Sequence, residues 1–307
     1  MQFETGVSII KVLTYFDIFD YPVSGDEIAF FLERPADSDV LSETLQELVE
    51  EKYIFLIQDF YSLHNDAALV TRRLTGNRKA QSLLQIAQGI SRFLFQFPFV
   101  RGIGISGSLS KNFAGENADI DYFIITKANR LWLARTLMHA FKKLSFLTGR
   151  QHWYCMNYYV DEAMLEIREK NIYTAIEVIT LFPVQGDGVF DAFFRENKWV
   201  NAYYPNWNRA ECREKTNAHQ SGLKRIMEWF MDNRLGDWLD DYFMRVTTRR
   251  WKKKEDEKRV SISGARMGLH TDKHFSKPNP VFLQRDILTS YNNRLSRLEE
   301  KWEKSYL

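Results

Sequence analysis

The chain has 307 residues, which exceeds one typical domain, so we expect two or three domains. A hydrophobic fraction of 45% and an aromatic fraction of 15% are enough for packed cores and exclude wholesale disorder. No apolar run approaches the roughly 18–20 residues that span a bilayer, so we expect no membrane partner. The first residues do not resemble a secretory signal, and Cys155 and Cys212 stand far apart. These features predict a cytoplasmic protein without a disulfide framework.

The net charge of +2 conceals an uneven distribution of charge. Residues 1–64 contain thirteen acids and three bases, a net charge of −10, so the remainder carries +12. Such asymmetry indicates either that the two parts face each other or that the basic part attracts an anionic substrate.

The first 66 residues are predicted to form an acidic domain of three helices and a hairpin. Apolar spacing predicts helices over 6–17 and 39–51, and Ser-Gly-Asp-Glu at 24–27 has the form of a capping box for a short helix between them. The segments YIFLIQ and YSLH, on either side of Asp59-Phe60, predict the hairpin. This order resembles a winged helix-turn-helix.

The third helix of this domain is too acidic for a typical DNA-recognition helix. Affinity for DNA depends chiefly on Lys and Arg contacts with phosphates. We therefore do not expect sequence-specific DNA binding, and we expect this domain to pack on its own basic neighbour or on a protein partner. The acids of this helix, set against Lys52 alone, are Asp39, Glu43, Glu47, Glu50 and Glu51.

The middle of the chain predicts a mixed α/β core over residues 67–170. A cationic helix over 67–95 precedes the strand VRGIGISG, a loop and a second strand over 119–126. A helix over 130–147, capped by Asn129 and stopped by Gly149, leads to strands at 153–160 and 164–167. Residues 171–307 predict a mostly helical region that closes a cleft. The predicted fold class is α+β.

One motif in this core carries chemistry. A strand ends in Gly107-Ser108, and after ten residues another strand opens with Asp119 and Asp121. Glycine allows backbone N–H groups to approach a phosphate, and the serine hydroxyl adds a donor. Residues two apart in a strand point to one face, so the carboxylates present a pair of oxygen ligands for Mg²⁺ or Mn²⁺. Lys111 is a further candidate for phosphate contact.

The segment GISGSLSKNFAGENADIDYFIIT resembles the signature of the polymerase-beta-like nucleotidyltransferase superfamily. The segments FDIFDYP, SGSLS, ADIDYFIIT and PNW further resemble uncharacterised prokaryotic proteins that join a winged helix to such a domain. The resemblance implies transfer of a nucleoside monophosphate from a nucleoside triphosphate to an acceptor. Asp119 and Asp121 would hold the metal, and Gly107, Ser108 and Lys111 would hold the nucleotide. The acceptor, whether small molecule, protein or RNA, is left open.

Active members of this superfamily usually add a third carboxylate from a neighbouring strand, which completes the metal site or serves as general base. That strand here carries Asn157, which cannot take a proton at neutral pH. Asp161 and Glu166 are the alternatives, and we prefer Glu166 as the third catalytic residue. If Asn157 alone stands at this place, the rival hypothesis is a nucleotide-binding sensor or protein-interaction module without turnover.

Three other segments bear on function. In the segment 171–184, Tyr173, Thr174 and Glu177 are expected to face the cleft, although core packing explains its apolar residues equally well. The charge-dense run RRWKKKEDEKR at 249–259 is interpreted as a solvated helix rather than a nucleic-acid contact. The polar run 270–274, with His270, Asp272 and His274, is interpreted as a loop rather than a metal site.

Overall fold

The computed structural model describes residues 2–116, 118–145, 153–208, 220–257, 267–280 and 283–303, which form an α+β chain. The helices in these residues are α1 Gln2–Asp17, α2 Gly25–Phe31, α3 Ser38–Glu50, α4 Ala67–Leu94, α5 Leu131–Ser145, α6 Ile172–Ile179, α7 Asp187–Glu196, α8 Gly222–Met231, α9 Arg234–Asp256 and α10 Leu283–Glu303. The strands are β1 Phe55–Ile57, β2 Phe60–Ser62, β3 Val100–Ile105, β4 Asp121–Thr126, β5 Cys155–Asp161, β6 Phe182–Gln185, β7 Met267–Thr271 and β8 Phe275–Pro280.

The predicted order of three helices and a hairpin is present at the N-terminus. The capping box is complete: the Ser24 hydroxyl accepts the backbone N–H of Glu27 at 3.2 Å, and the Glu27 carboxylate accepts the backbone N–H of Ser24 at 2.8 Å. Strands β1 and β2 pair antiparallel, and Val23 adds a single bridge to Tyr61. These contacts join the short helix to the hairpin, and the buried apolar residues of α1, α2 and α3 form one cluster with those of the main sheet, α6, α7 and α10.

The main sheet has six strands in the order β6-β3-β4-β5-β8-β7. Strands β4 and β5 are parallel because α5 crosses between them, and the other neighbours are antiparallel. Strand β3 therefore ends beside the start of β4, where Ile105 pairs with Tyr122. This arrangement brings the Gly-Ser turn and the aspartate pair to one edge of the sheet.

One sequence-based prediction for this region is wrong: residues 164–167 form no strand but an irregular connection after β5. The described part of the region beyond residue 171 is mostly helical, as predicted, and it also supplies β6, β7 and β8 to the main sheet. Strand β6 lies at one edge of the sheet, where the missing N–H of Pro183 is tolerated.

The ends of two predicted elements also shift. The strand predicted from residue 119 begins at Asp121, so Asp119 lies in the preceding loop. The helix predicted over 130–147 is α5, and its expected stop, Gly149, lies outside the described residues. Asn129 adopts a left-handed φ of 59°, and its backbone N–H donates to Asp161 Oδ2 at 2.8 Å.

The acidic N-terminal part packs against basic side chains from elsewhere in the chain. Arg73 of α4 donates to both carboxylate oxygens of Glu27, at 2.6 and 2.8 Å, and Arg294 of α10 pairs with Asp17. Tyr15 also contacts Tyr291, with ring centroids 6.1 Å apart. Of the two interpretations of the charge asymmetry, direct facing of the two parts is therefore confirmed at these contacts.

Among the helices that the structure describes, none combines the length and the apolar character needed to cross a membrane.

Candidate functional site

Gly107 forms a tight turn directly against the carboxylate of Asp121. Its φ of +69° lies in the left-handed region that favours glycine. A Cβ at this position would lie 2.6 Å from Asp121 Oδ2, closer than two such atoms approach. The backbone N–H of Ser106 donates to the Asp121 carbonyl at 2.9 Å, which fixes the turn to β4. The glycine turn therefore lies directly beside Asp121, the second of the two predicted aspartates.

The charge of Asp119, the first predicted metal ligand, acts on the second, Asp121. Burial and the neighbouring Asp119 carboxylate raise the pKa of Asp121 to about 7. Two carboxylates that disfavour each other's charge gain from a divalent cation between them, because its charge offsets both the repulsion and the desolvation. Asp119 and Asp121 are therefore a donor set that fits Mg²⁺ or Mn²⁺.

On β5, the strand from which a third carboxylate was expected, the residue beside Asp121 is Asn157. The register of β4 and β5 shifts here: Tyr122 pairs with Met156, but Phe123 pairs with Tyr158. Asn157 is the extra residue of this bulge, a feature that often re-aims a side chain beside an active site. Its Nδ2 donates to Asp121 Oδ1. The amide thus supports the aspartate but adds no negative charge.

Cys155 completes this polar group behind the aspartate. Its thiol donates to Asn157 Oδ1 at 3.1 Å, and Lys142 Nζ lies 3.6 Å from its sulfur. Burial and the carboxylate of Asp121 raise the pKa of the Cys155 thiol to about 11. The thiol is therefore a hydrogen-bond donor that orients Asn157, and not a reactive thiolate.

Lys111 and Glu177 form an ion pair beside the glycine turn. Lys111 Nζ donates to Glu177 Oε1 at 2.7 Å and to the Gly107 carbonyl at 3.1 Å. Glu177 also contributes to the raised pKa of Asp121, which places its charge within reach of the aspartate pair. The predicted phosphate contact, Lys111, is therefore at the site.

Glu166, the preferred third carboxylate, is not brought to this group. Its carboxylate pairs with Lys170 at 2.6 Å, and its side chain is 51% exposed. Asp161 pairs with Thr126 at the far end of β4, five residues from Asp121 or roughly 17 Å along the strand. Asp161 is fully buried and accepts hydrogen bonds from Asn129, Ala163 and His274. Asp161 therefore stabilises the turns at the end of β5 and does not join the group around Asp121.

The site lies at the base of a cavity of about 790 Å³. Gly107, Ser108, Lys111 and Asp121 line its polar end, whereas Asp119 lies in the loop before β4 and is not among the lining residues. Tyr173, Thr174 and Glu177 of α6, which were expected to face the cleft, line the cavity as well. A further part of the lining comes from the N-terminal residues, including the segment FDIFDYP, and Tyr21 donates to the Lys111 carbonyl at 3.5 Å. The N-terminal lining residues are Tyr15, Phe16, Ile18, Phe19, Asp20 and Tyr21.

The other candidate segments have structural partners. His274 and Asp272 belong to the turn between β7 and β8, where the Asp272 carboxylate accepts the N–H of His274 at 2.7 Å. Residues 249–256 lie in the last turns of α9, and residues 258 and 259 lie outside the described residues. Across the described part of the chain, no three His, Cys, Asp or Glu side chains already stand together as a metal site.

Comparisons of the chain with models of protein families, with curated proteins and with solved structures found no match. The chemistry of this site therefore rests on its own geometry.

Sequence reasoning placed Glu177 at the cleft but missed its ion pair with Lys111, and it missed the N-terminal wall. The signal for the place of Glu177 was its spacing, because Thr174, Glu177 and Val178 follow the i, i+3, i+4 pattern of one helix face. The N-terminal wall had no such signal, because contact between distant segments leaves no periodicity in the sequence.

Proposed function

We propose that the chain is a metal-dependent nucleotidyltransferase, which transfers a nucleoside monophosphate from a nucleoside triphosphate to an acceptor. The observation that carries the proposal is the close packing of Gly107 on Asp121 at the polar end of a large cavity. A glycine turn that leaves no room for a Cβ, beside a carboxylate pair, suits a phosphate chain and its metal.

Each residue at the polar end has a role in this proposal. Backbone N–H groups at Gly107 and the hydroxyl of Ser108 would bind the β- and γ-phosphates. Lys111 would turn from Glu177 toward the same phosphates. Asp119 and Asp121 would hold Mg²⁺ or Mn²⁺, which neutralises charge on the phosphate oxygens.

Glu177, rather than the exposed Glu166, is our candidate for the general base. When a phosphate draws Lys111 away, the Glu177 carboxylate loses its partner at the cavity wall. An acceptor hydroxyl that attacks the α-phosphorus must lose a proton, and a positioned carboxylate takes it. The bond from the α-phosphorus to the bridging oxygen breaks, and pyrophosphate leaves with that electron pair.

A second candidate function is a nucleotide sensor without turnover. It is favoured by Asn157, which supports Asp121 as an amide donor at the place where a third carboxylate was sought. If Glu177 stays bound to Lys111 in the nucleotide complex, the site binds a triphosphate but has no base.

Turnover distinguishes the two functions. Each labelled triphosphate is incubated with the protein, Mg²⁺ or Mn²⁺ and a cell extract, and transfer of label to an acceptor is measured. We expect label transfer, and a decrease of about 10²–10⁴-fold in Glu177→Gln, because that change removes the proton acceptor.

The matched control is Glu166→Gln, the same chemical change at an exposed ion pair, and it should keep normal turnover. Equal turnover in wild type and Glu177→Gln would reject Glu177 as the base. Triphosphate binding without any label transfer would favour the sensor.

A further inference from the structure

The lining of the cavity changes from polar to apolar between Asp121 and Phe123 of β4. Asp121 and Phe123 are two residues apart on this strand and therefore share a face. The Phe123 ring packs against Tyr158 and Phe193, with centroids 5.1 Å apart in both pairs. All three aromatic residues line the same cavity as Asp121. An apolar floor thus begins directly beside the carboxylate.

The wall facing this floor is also apolar and comes from distant parts of the chain. The end of α1 and the segment after it supply one side, and the start of α10 supplies another. Arg72 holds the N-terminal segment in place by donating to the carbonyls of Phe19 and Asp20, at 2.9 and 2.8 Å. The apolar residues of these two walls are Tyr15, Phe16, Ile18, Phe19, Leu283 and Ile287.

One polar atom on this lining has no partner. Thr174 is 5% exposed, and its Oγ1 has no hydrogen-bond partner among the described residues. Its backbone N–H is already used by Asn171, the N-cap of α6, at 3.0 Å. Glu177 follows one helical turn later, so the free hydroxyl and the carboxylate lie on one face of α6. An unpaired buried hydroxyl beside a carboxylate is suited to a ligand hydroxyl.

We infer that the acceptor is an amphipathic alcohol whose hydroxyl lies between Thr174 and Glu177 and whose apolar chain or ring lies on the aromatic floor. This inference rests on the function proposed above. A nucleobase suits the floor less well, because its edge carries several hydrogen-bonding groups that apolar walls leave unpaired. The alcohol oxygen bonds to the α-phosphorus, its proton passes to Glu177, and pyrophosphate leaves with the electrons of the broken bond.

Straight-chain alcohols from butanol to octanol test this inference by calorimetry on the full-length protein. We expect affinity to rise about fourfold for each added methylene, because each one leaves water for the apolar floor. Thr174→Val should weaken octanol binding by about two- to tenfold, because it removes the hydroxyl and keeps the shape. Val178→Phe should also weaken octanol binding, because the larger side chain fills part of the cavity that Val178 lines. If Val178→Phe does not fold, Thr174→Val alone decides.

The control is Leu223→Ala, which changes an apolar side chain that is 68% exposed on α8, and it should leave octanol binding unchanged. Saturating triphosphate with Mg²⁺ should not displace octanol. Three results would overturn the inference: an affinity that does not depend on the length of the alcohol, an octanol affinity of Thr174→Val equal to that of wild type, or displacement of octanol by the triphosphate. Alcohol binding that needs Thr174, without any triphosphate binding, would instead overturn the proposed function and leave the apolar site standing.

Discussion

At the scale of single residues, Gly107 and Asp121 approach so closely that a Cβ on Gly107 would lie 2.6 Å from Asp121 Oδ2. The sequence alone predicted this neighbourhood, because a glycine at a strand end and two alternating acids at a strand start have recognisable local patterns. It could not predict the partner of Asp121. Asn157 reaches the carboxylate through a bulge in β5, and a bulge depends on strand pairing rather than on local pattern.

Replacement of Gly107 by alanine tests this packing. We expect Gly107→Ala to lower the free energy of unfolding by about 1–3 kcal/mol, because the backbone is left-handed and the new Cβ meets Asp121 Oδ2. Denaturant unfolding measures the change. Gly115→Ala is the matched control: a Cβ there meets nothing within 4 Å, so its effect should stay within about 0.5 kcal/mol. Equal effects of the two substitutions would contradict the described turn.

The raised pKa of Asp121 gives the protein a pH dependence of stability. Burial and Asp119 raise this pKa from 3.8 to about 7, so the folded protein holds the proton more tightly than the unfolded chain. The stabilisation from the protonated group is complete below about pH 4 and is lost as the pH rises through about 7. With a chelator present to remove divalent metal, the free energy of unfolding of wild type should therefore fall between about pH 4 and pH 8. The fall should be at most about 4 kcal/mol larger than that of Asp121→Asn.

Urea unfolding of both proteins at several pH values between 4 and 8 measures that difference. The two curves of unfolding free energy against pH should diverge, with the wild type becoming the less stable protein as the pH rises. Parallel curves would show that Asp121 titrates near its usual value.

At the scale of elements, helices were more predictable than strands. The helices of the N-terminal part follow from apolar spacing and a capping box, which are local properties. Strands β7 and β8 were missed because MGLHT has only five residues and FSKPNP contains two prolines, which argue against a strand. They form a hairpin whose β8 pairs with β5 only at Tyr159 and Val160, so its place depends on tertiary contact.

The attachment of α4 to the N-terminal part offers a test at this scale. Arg73 is buried, contacts Glu27 through two hydrogen bonds and donates to the Pro22 carbonyl at 2.5 Å. Arg73→Ala should lower the free energy of unfolding by about 2–4 kcal/mol, because it removes the hydrogen bonds to Glu27 and Pro22 and the packing of the buried guanidinium on Tyr21 and Phe60. Arg78→Ala, at an exposed position of the same helix, should cost less than about 0.5 kcal/mol. Thermal and chemical unfolding of both variants measure these effects, and a cost for Arg73→Ala as small as that of Arg78→Ala would exclude this attachment.

At the scale of the whole molecule, the uneven distribution of charge along the sequence predicted a contact that the structure contains. The predicted boundary at residue 171 was less informative about the fold. The excess of acids in residues 1–64 suggested contact with the basic remainder, and ion pairs such as Arg73 with Glu27 and Arg294 with Asp17 supply that contact. The sequence did not reveal that strands before and after residue 171 build one sheet. It also did not reveal that the N-terminal part walls the cavity. Both arise from contacts between residues far apart in the chain.

The central claim is that the aspartate pair binds a nucleoside triphosphate through a divalent metal. Calorimetry with ATP, CTP, GTP and UTP in Mg²⁺, for wild type and for Asp119→Ala/Asp121→Ala, tests it most directly. We expect wild type to bind at least one triphosphate and the double variant to lose more than tenfold in affinity, because the metal ligands that screen the phosphates are gone. Equal affinity of the two proteins, or no binding to any of the four triphosphates, would contradict the claim.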